Sequence, residues 1–151
     1  MSDLYKESND IDFEIRFLEG ILKYQPDFIE GLILLGDHYT KKGLYDKGLR
    51  VDEKLAALLP EDPVVHYNLA CSYSLVSEIN KAFRSIKKAI RLGYHNLEHL
   101  EHDKDLMNLR QERRFQEYYA RLKKNLAAAV SEAVSCEEEI EDLKGSDEVV
   151  S

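Results

Sequence analysis

The feature that most constrains this chain is an internal repeat with an offset of 34 residues, the separation of Pro26 from Pro60. Further identities occur at the same offset in the pairs Leu35/Leu69, Tyr39/Tyr73, Lys47/Lys81 and Arg50/Arg84. A fixed period between about 20 and 50 residues is typical of stacked supersecondary units. The sequence therefore predicts repeated structural units that share one continuous core.

Each unit has the apolar spacing of two helices. Leu32, Leu35 and Tyr39 recur at helical intervals, and Gly43 supplies the left-handed residue that commonly follows a helix. A second helix is predicted from about Tyr45 to Leu58. The prolines that follow it end this helix and begin the next unit.

Small residues recur at two positions of the repeat. Gly36 aligns with Ala70, and Gly48 aligns with Ala82. Two helices approach closely only where both present little side chain at the crossing. These pairs therefore predict close helix contacts inside each unit.

The first unit reads Leu32-x₂-Leu35-Gly36-x₂-Tyr39 and ends at Pro60, which resembles the tetratricopeptide repeat pattern. The second copy reads His66-x₂-Leu69-Ala70-x₂-Tyr73, followed by Ala82-x₃-Ile86. The resemblance implies an all-α fold, a short right-handed α-solenoid of antiparallel helix pairs with a long C-terminal helix. It departs from the family at Asp52, where an aromatic residue is usual, and at Tyr94, where a closing proline is usual.

The region from Asp103 to Phe115 is similar to the segment that closes many bacterial arrays of this type. The chain is therefore expected to be a small bacterial-type member of the family. We predict a repeat domain over 1–125, a C-terminal helix extension over 126–143 and a disordered acidic tail over 144–151. The repeat domain comprises a lone starting helix (10–25), repeat one (29–62), repeat two (63–96) and the closing segment (97–125).

The net charge of −8 is concentrated near the C-terminus. From residue 126 onward there are eight acidic residues and one basic residue, so −7 of the charge lies there. This distribution does not suit binding to nucleic acid, which needs a basic face. No apolar run reaches the roughly 20 residues of a membrane span, and the first residues lack the profile of a signal peptide. We expect a cytoplasmic protein that binds neither nucleic acid nor membrane.

A stripe of apolar and small residues in the C-terminal helix has the alternating steps of a heptad seam. It comprises Phe115, Tyr119, Leu122, Leu126, Ala129, Ala133, Cys136, Ile140 and Leu143. The helix could cap the last repeat, lie along the groove of its own chain or pair with a second copy. In a parallel pair Glu132 would face Glu137 of the other helix, which is unfavourable. We expect a monomer or a weak homodimer through this helix.

The family geometry places a partner-binding groove on the first helix of each unit. Projected onto this chain, the groove comprises Ile33, Leu34, Asp37, Lys41, Val64, Tyr67, Asn68, Cys71 and Leu75. The partner is expected to be a protein segment or peptide with apolar anchors, centred on Tyr67 and Asn68. The basic clamp with which some family members hold chaperone C-termini is absent, because Ile33 and Asp37 occupy two of its positions.

The chain has no motif of a phosphate-binding loop, an acyl-transfer nucleophile or a zinc protease. We therefore predict no catalytic residues, no cofactor and no metal site. His95, His99 and His102 have spacings that would place them near one helical face, which leaves metal binding as a minor alternative. Cys71 is expected to be a buried, inert thiol.

The leading hypothesis is a non-catalytic scaffold or adaptor. A second is a secretion or assembly chaperone that holds a hydrophobic client segment. A third is a metal-binding accessory protein that uses the three histidines.

Overall fold

The computed structural model describes the backbone of residues 2–145 and the side chains of residue 6 and residues 9–140. The described part is all-α, with helices of the following bounds: α1 (Ser2–Tyr24), α2 (Ile29–Lys41), α3 (Tyr45–Leu58), α4 (Pro63–Leu75), α5 (Ile79–Arg91), α6 (Leu97–His102), α7 (Met107–Arg110) and α8 (Arg113–Gly145). A 3₁₀ turn over Lys104–Leu106 joins α6 to α7. None of the described helices is both long enough and apolar enough to cross a membrane.

The described chain forms two compact units, divided between Gln111 and Glu112. In the first unit α1 packs on α2, α2 on α3, α3 on α4 and α4 on α5. Helices α2 and α3 correspond to the first sequence repeat, and α4 and α5 correspond to the second. The architecture is thus the stack of helix pairs that the repeat predicted.

The small residues lie where the paired helices meet. A Cβ atom added to Gly36 would lie 3.3 Å from Val51 Cγ1, and one added to Gly48 would lie 3.2 Å from Thr40 Oγ1. The corresponding Ala70 and Ala82 are completely buried. Because protein interiors are close-packed, each of these positions admits little more than the side chain it has.

The repeat extends to polar contacts. Tyr39 donates a hydrogen bond to Glu19 of α1, and Tyr73 donates one to Glu53 of α3. In both pairs the two residues are 20 positions apart in the chain. Helix α1 therefore takes toward α2 the place that α3 takes toward α4.

Element boundaries differ from the sequence prediction at both ends of the chain. Helix α1 begins at Ser2, ahead of the predicted start at residue 10, because residues 2–9 contain no glycine or proline. Helix α8 passes through the predicted boundary between 125 and 126 without a break. Residues 113–144 also lack glycine and proline, so nothing ends the helix there. Of the predicted disordered tail, residues 144 and 145 are the last of α8, and 146–151 lie outside the described residues.

The turns inside the two repeats have the same backbone form but different residues. Gly43 has φ 75°, and Ser77, which aligns with it at the repeat offset, has φ 63°. The next residue of each turn donates back into the helix, Leu44 N to Tyr39 O at 2.8 Å and Glu78 N to Tyr73 O at 2.9 Å. The turn after α4 therefore holds Ser77 in a left-handed conformation that favours glycine.

We predict that Ser77→Gly stabilises the protein by about 1 kcal/mol, because the substitution removes the steric cost of a side chain in the left-handed region. The free energy of unfolding measured in urea tests this. The reciprocal substitution Gly43→Ser should destabilise by a similar amount. If both substitutions changed the free energy of unfolding in the same direction, the left-handed conformation assigned to Ser77 and Gly43 would be contradicted.

Candidate partner-binding cavity

A cavity of about 550 Å³ opens between α2, α3, α4 and the residues that follow α5. We call it the α2–α4 cavity. Eight of the nine sequence-predicted groove residues line it: Ile33, Leu34, Asp37, Val64, Tyr67, Asn68, Cys71 and Leu75. The ninth, Lys41, is not in the lining, and its Nζ forms an ion pair with Asp37 Oδ2 at 2.7 Å.

The rim of the cavity is apolar and exposed. Ile33, Leu34 and Val64 are each about half exposed, with values from 47% to 54%. They lie on α2 and α4 beside residues such as Leu32 and Val65, which point into the core. Since each helix buries one stripe in the stack, the adjacent apolar residues remain available to a ligand.

The polar part of the lining is acidic. Five aspartates contribute to it: Asp37, Asp52, Asp62, Asp103 and Asp105. His99 also lines the cavity, and its Nε2 lies 3.2 Å from Asp103 Oδ2. Asp62 is occupied as the N-cap of α4, accepting from Val64 N at 2.8 Å. The cavity therefore combines an aliphatic rim with a concentration of negative charge.

Asp52 is the most deeply placed of these carboxylates, with 9% of its surface exposed. Its Oδ2 accepts a hydrogen bond of 2.5 Å from Ser72 Oγ. Burial raises the pKa of Asp52 to about 6, and the Ser72 hydrogen bond opposes part of that rise. Beside it Val51 and Leu55 are buried, as expected for a helix that lacks the usual aromatic residue at this position.

Tyr67, predicted as a centre of partner contact, is only 3% exposed and forms the floor of the cavity. Its hydroxyl donates to Asp103 Oδ2 at 2.7 Å, and its ring stacks on Tyr94 with centroids 4.2 Å apart. Burial, with the neighbouring acidic groups, raises the pKa of Tyr67 well above its usual range. The closing segment covers this ring, which sequence spacing alone did not reveal. Asn68 remains exposed at the cavity.

Asp103 ties the closing segment to α4. Besides the Tyr67 hydroxyl, Asp103 Oδ2 lies 3.7 Å from Cys71 Sγ, while Oδ1 accepts from Asp105 N at 3.0 Å. Arg110 donates to the backbone oxygens of Leu100 and Asp103 and so stabilises the turn that carries Asp103. The sequence alone assigned no role in the groove to Asp103, Asp105 or His99. The polar residues that follow His102 are visible in the sequence, but only the folded structure shows that they lie against α4.

Cys71 is buried, and burial together with the nearby Asp103 carboxylate raises the pKa of its thiol well above the ordinary value. The thiol therefore stays protonated at neutral pH, and a protonated thiol is a poor nucleophile. This agrees with the expectation of an inert cysteine.

The histidine trio does not share one helical face. His95 precedes α6, and its Nδ1 lies 3.2 Å from Gly93 O. His102 Nδ1 lies 2.8 Å from Glu98 O, while His99 faces Asp103 and the Tyr67 ring. The predicted shared face is wrong because Asn96 caps a new helix after His95. Within the described residues, no three histidine, cysteine or acidic side chains converge on a position that could hold a metal ion.

No family model matches the sequence. A chloroplast protein of Arabidopsis thaliana is 29% identical over 94 residues, which cover 60% of this chain and 27% of that protein. The match thus spans about a quarter of that relative's length.

Solved structures of MamA share the fold. The structure of MamA from residue 41 to its end, from Desulfovibrio magneticus RS-1, superposes with a TM-score of 0.62 at 18% identity, covering 80% of this chain and 68% of that one. A double mutant of MamA from RS-1 gives 0.63 at 21% identity, with coverages of 81% and 69%. A further MamA crystal structure gives 0.54 at 25% identity, with coverages of 72% and 70%. The fold is tetratricopeptide-repeat-like.

We predict that Asp52→Asn stabilises the protein at pH 7.5 by about 1–2 kcal/mol. The pKa of Asp52 is about 6 in the folded protein, above the value of about 4 in an unfolded chain. The folded state therefore retains a proton that the unfolded chain releases, and the stability this contributes below pH 4 is lost as pH rises through 6. Asparagine keeps an acceptor for Ser72 and has no charge to desolvate.

Urea unfolding at pH 4 and pH 7.5 provides the measurement, and the advantage of the variant should disappear at pH 4. Asp37→Asn is the matched control at an exposed carboxylate of the same cavity and should change stability by less than about 0.5 kcal/mol. An advantage for Asp52→Asn of the same size at both pH values would contradict the burial argument.

Proposed function

We propose that the protein is a non-catalytic interaction module that binds a segment of a partner protein in the α2–α4 cavity. The observation that carries the proposal is the juxtaposition of an exposed aliphatic rim with five aspartates in the lining of a cavity of about 550 Å³. A rigid helical stack that presents such a cavity can bind a peptide without rearranging its own core. The similarity of the fold to the MamA structures supports the role of scaffold. The kind of partner has to be inferred from the chemistry of the cavity, because one fold can serve many partners.

The rim supports anchoring by apolar side chains. Fully burying an exposed aliphatic side chain contributes about 1.5–3 kcal/mol relative to leaving it in water. Ile33 and Leu34 on α2, together with Val64 on α4, offer contacts on two helices that line the cavity. A peptide that lies between these helices, either extended or helical, can use all three.

The acidic lining favours a basic side chain. Lysine and arginine carry aliphatic stems that can pack on the rim while the charged head reaches Asp37, Asp52 or Asp105. The same carboxylates repel the free carboxylate of a peptide C-terminus, in keeping with the missing basic clamp. The proposed ligand is therefore an internal segment with aliphatic residues close to a lysine or arginine.

The chaperone hypothesis is the second candidate, and the exposed rim favours it, because client proteins are held through apolar contacts. The two differ in selectivity. An adaptor binds a defined sequence, whereas a chaperone binds many apolar segments with similar affinities. The metal-accessory hypothesis loses its structural basis, since His95 lies outside α6.

An array of short synthetic peptides with independently varied aliphatic and basic content tests the proposal. The protein should bind peptides that contain both features and should bind them more weakly at high salt, because salt screens the charge contribution. Titration calorimetry with the best peptide then gives the affinity. Leu34→Ser combined with Val64→Ser should weaken it by about tenfold, or about 1.4 kcal/mol.

Phe13→Ser combined with Phe17→Ser is the matched control, since both phenylalanines are exposed on α1 and neither lines the cavity. The control should leave the affinity unchanged. Binding of no peptide, or equal losses in the two double variants, would count against the proposal. Equal affinity for all aliphatic peptides regardless of charge would favour the chaperone.

A further inference from the structure

The second compact unit consists mainly of α8, a single helix of 33 residues. Every residue from 123 to 140 in it is exposed. The exposed residues include large apolar side chains at Leu126, Val130, Val134 and Ile140. From Leu126 to Ile140 the apolar seam of α8 is therefore exposed, whereas Phe115 at its start is buried. Long helices with such an exposed seam gain stability by pairing.

The charges of α8 are segregated along its length. Residues 113–125 contain five basic residues and one acidic residue, for a net charge of +4, whereas residues 126–140 contain four acidic residues and no basic one. A parallel pair would place like halves side by side. In an antiparallel pair the basic half of each helix lies beside the acidic end of the other, which is favourable at both ends of the contact.

The seam itself indicates the register. Ala129 and Ala133 are the smallest residues of the seam and lie near the midpoint of the helix. If Ala129 faces Ala133 of a second copy, two small residues meet at the point of closest approach and the helices can pack tightly there. The same register brings Leu126 opposite Cys136 and Leu122 opposite Ile140. Other registers place an alanine opposite a large residue and leave the contact uneven.

Charged residues beside the seam agree with this register on balance. Lys123, which lies over the Tyr119 ring in its own helix, comes beside Glu137 of the second copy, and the contact occurs twice by symmetry. The exposed Val130 meets its own counterpart across the symmetry axis. Glu132 also comes near its counterpart, which weakens the pair without removing the gain from the two opposite-charge contacts.

We propose that α8 is a homotypic docking surface that pairs with α8 of a second copy of this chain as an antiparallel coiled coil centred on Ala129 and Ala133. The surface shares no residue with the lining of the α2–α4 cavity, so either proposal can fail without the other. A module that dimerises in this way carries two cavities, and a partner with two binding segments gains avidity from both.

Disulfide trapping of the full-length chain distinguishes the arrangements. Cys136 is exposed on the seam, whereas Cys71 is buried in the first unit. In the proposed pair Cys136 faces residue 126 of the other copy, so the wild type should stay uncrosslinked under mild oxidation. Leu126→Cys should form a covalent dimer through two symmetric disulfides, each between the introduced thiol of one copy and Cys136 of the other. Within one helix these positions are about 15 Å apart, too far for a disulfide.

Ala127→Cys is the matched control, because residue 127 is one position off the seam and should not crosslink. Crosslinking of the wild type through Cys136 would establish a parallel pair and overturn the proposal. Failure of Leu126→Cys to crosslink, together with a monomeric mass by light scattering at high concentration, would overturn it as well.

Charge reversal gives an independent measurement. Lys123→Glu should raise the dissociation constant of the dimer about tenfold, and adding Glu137→Lys should restore it, because the swapped pair is complementary again only in the antiparallel arrangement. Sedimentation equilibrium measures both constants. Both residues are exposed, so the variants should keep the fold, and circular dichroism checks this. A double variant that dimerises no better than Lys123→Glu alone contradicts the register.

Discussion

The close approach of paired helices at small residues is the constraint on which the rest of the first unit depends. Gly36 and Gly48 bring α2 and α3 together so tightly that an added Cβ would lie 3.2–3.4 Å from neighbouring side chains. Ala70 and Ala82, both completely buried, do the same for α4 and α5. Because these crossings set the spacing within each pair, they also set the position of the α2 and α4 residues that reach the cavity.

The closing segment changes what this stack can do. Its Asp103 accepts a hydrogen bond from the Tyr67 hydroxyl. Tyr67 of α4 is therefore buried beneath the cavity and is not exposed on the groove surface. The same segment brings Asp105 and His99 to the cavity edge. Two of the five aspartates that make the cavity acidic, Asp103 and Asp105, therefore come from residues about one repeat further along the chain.

The protein divides its two proposed contacts between two units. In the first unit the repeats and the closing segment form a cavity whose aliphatic rim and acidic lining favour an apolar segment with a basic residue. In the second unit a long exposed helix carries opposite charges at its two ends and small residues between them. In both proposals the partner is bound through burial of apolar side chains combined with complementary charge, a combination that gives selectivity as well as affinity.

Periodicity in the sequence was sufficient to determine the helices and their pairing, because helix formation and the closeness of a helix crossing depend on local spacing and side-chain size. It thus predicted the stack, the small residues at Gly36 and Gly48, and the buried state of Cys71. The resemblance to the tetratricopeptide repeat implied nine groove residues, and eight of them line the α2–α4 cavity, whereas Lys41 does not. Helix ends were less predictable. No glycine or proline makes α1 begin at residue 10 or makes α8 end at residue 125.

Tertiary structure alone decided the polar chemistry of the cavity. The burial that raises the pKa of Asp52 and the contact that covers Tyr67 arise between segments 20 to 36 residues apart in the chain. Spacing within a helix carries no information about which distant side chain will lie against it, so these features appear only when the chain is folded.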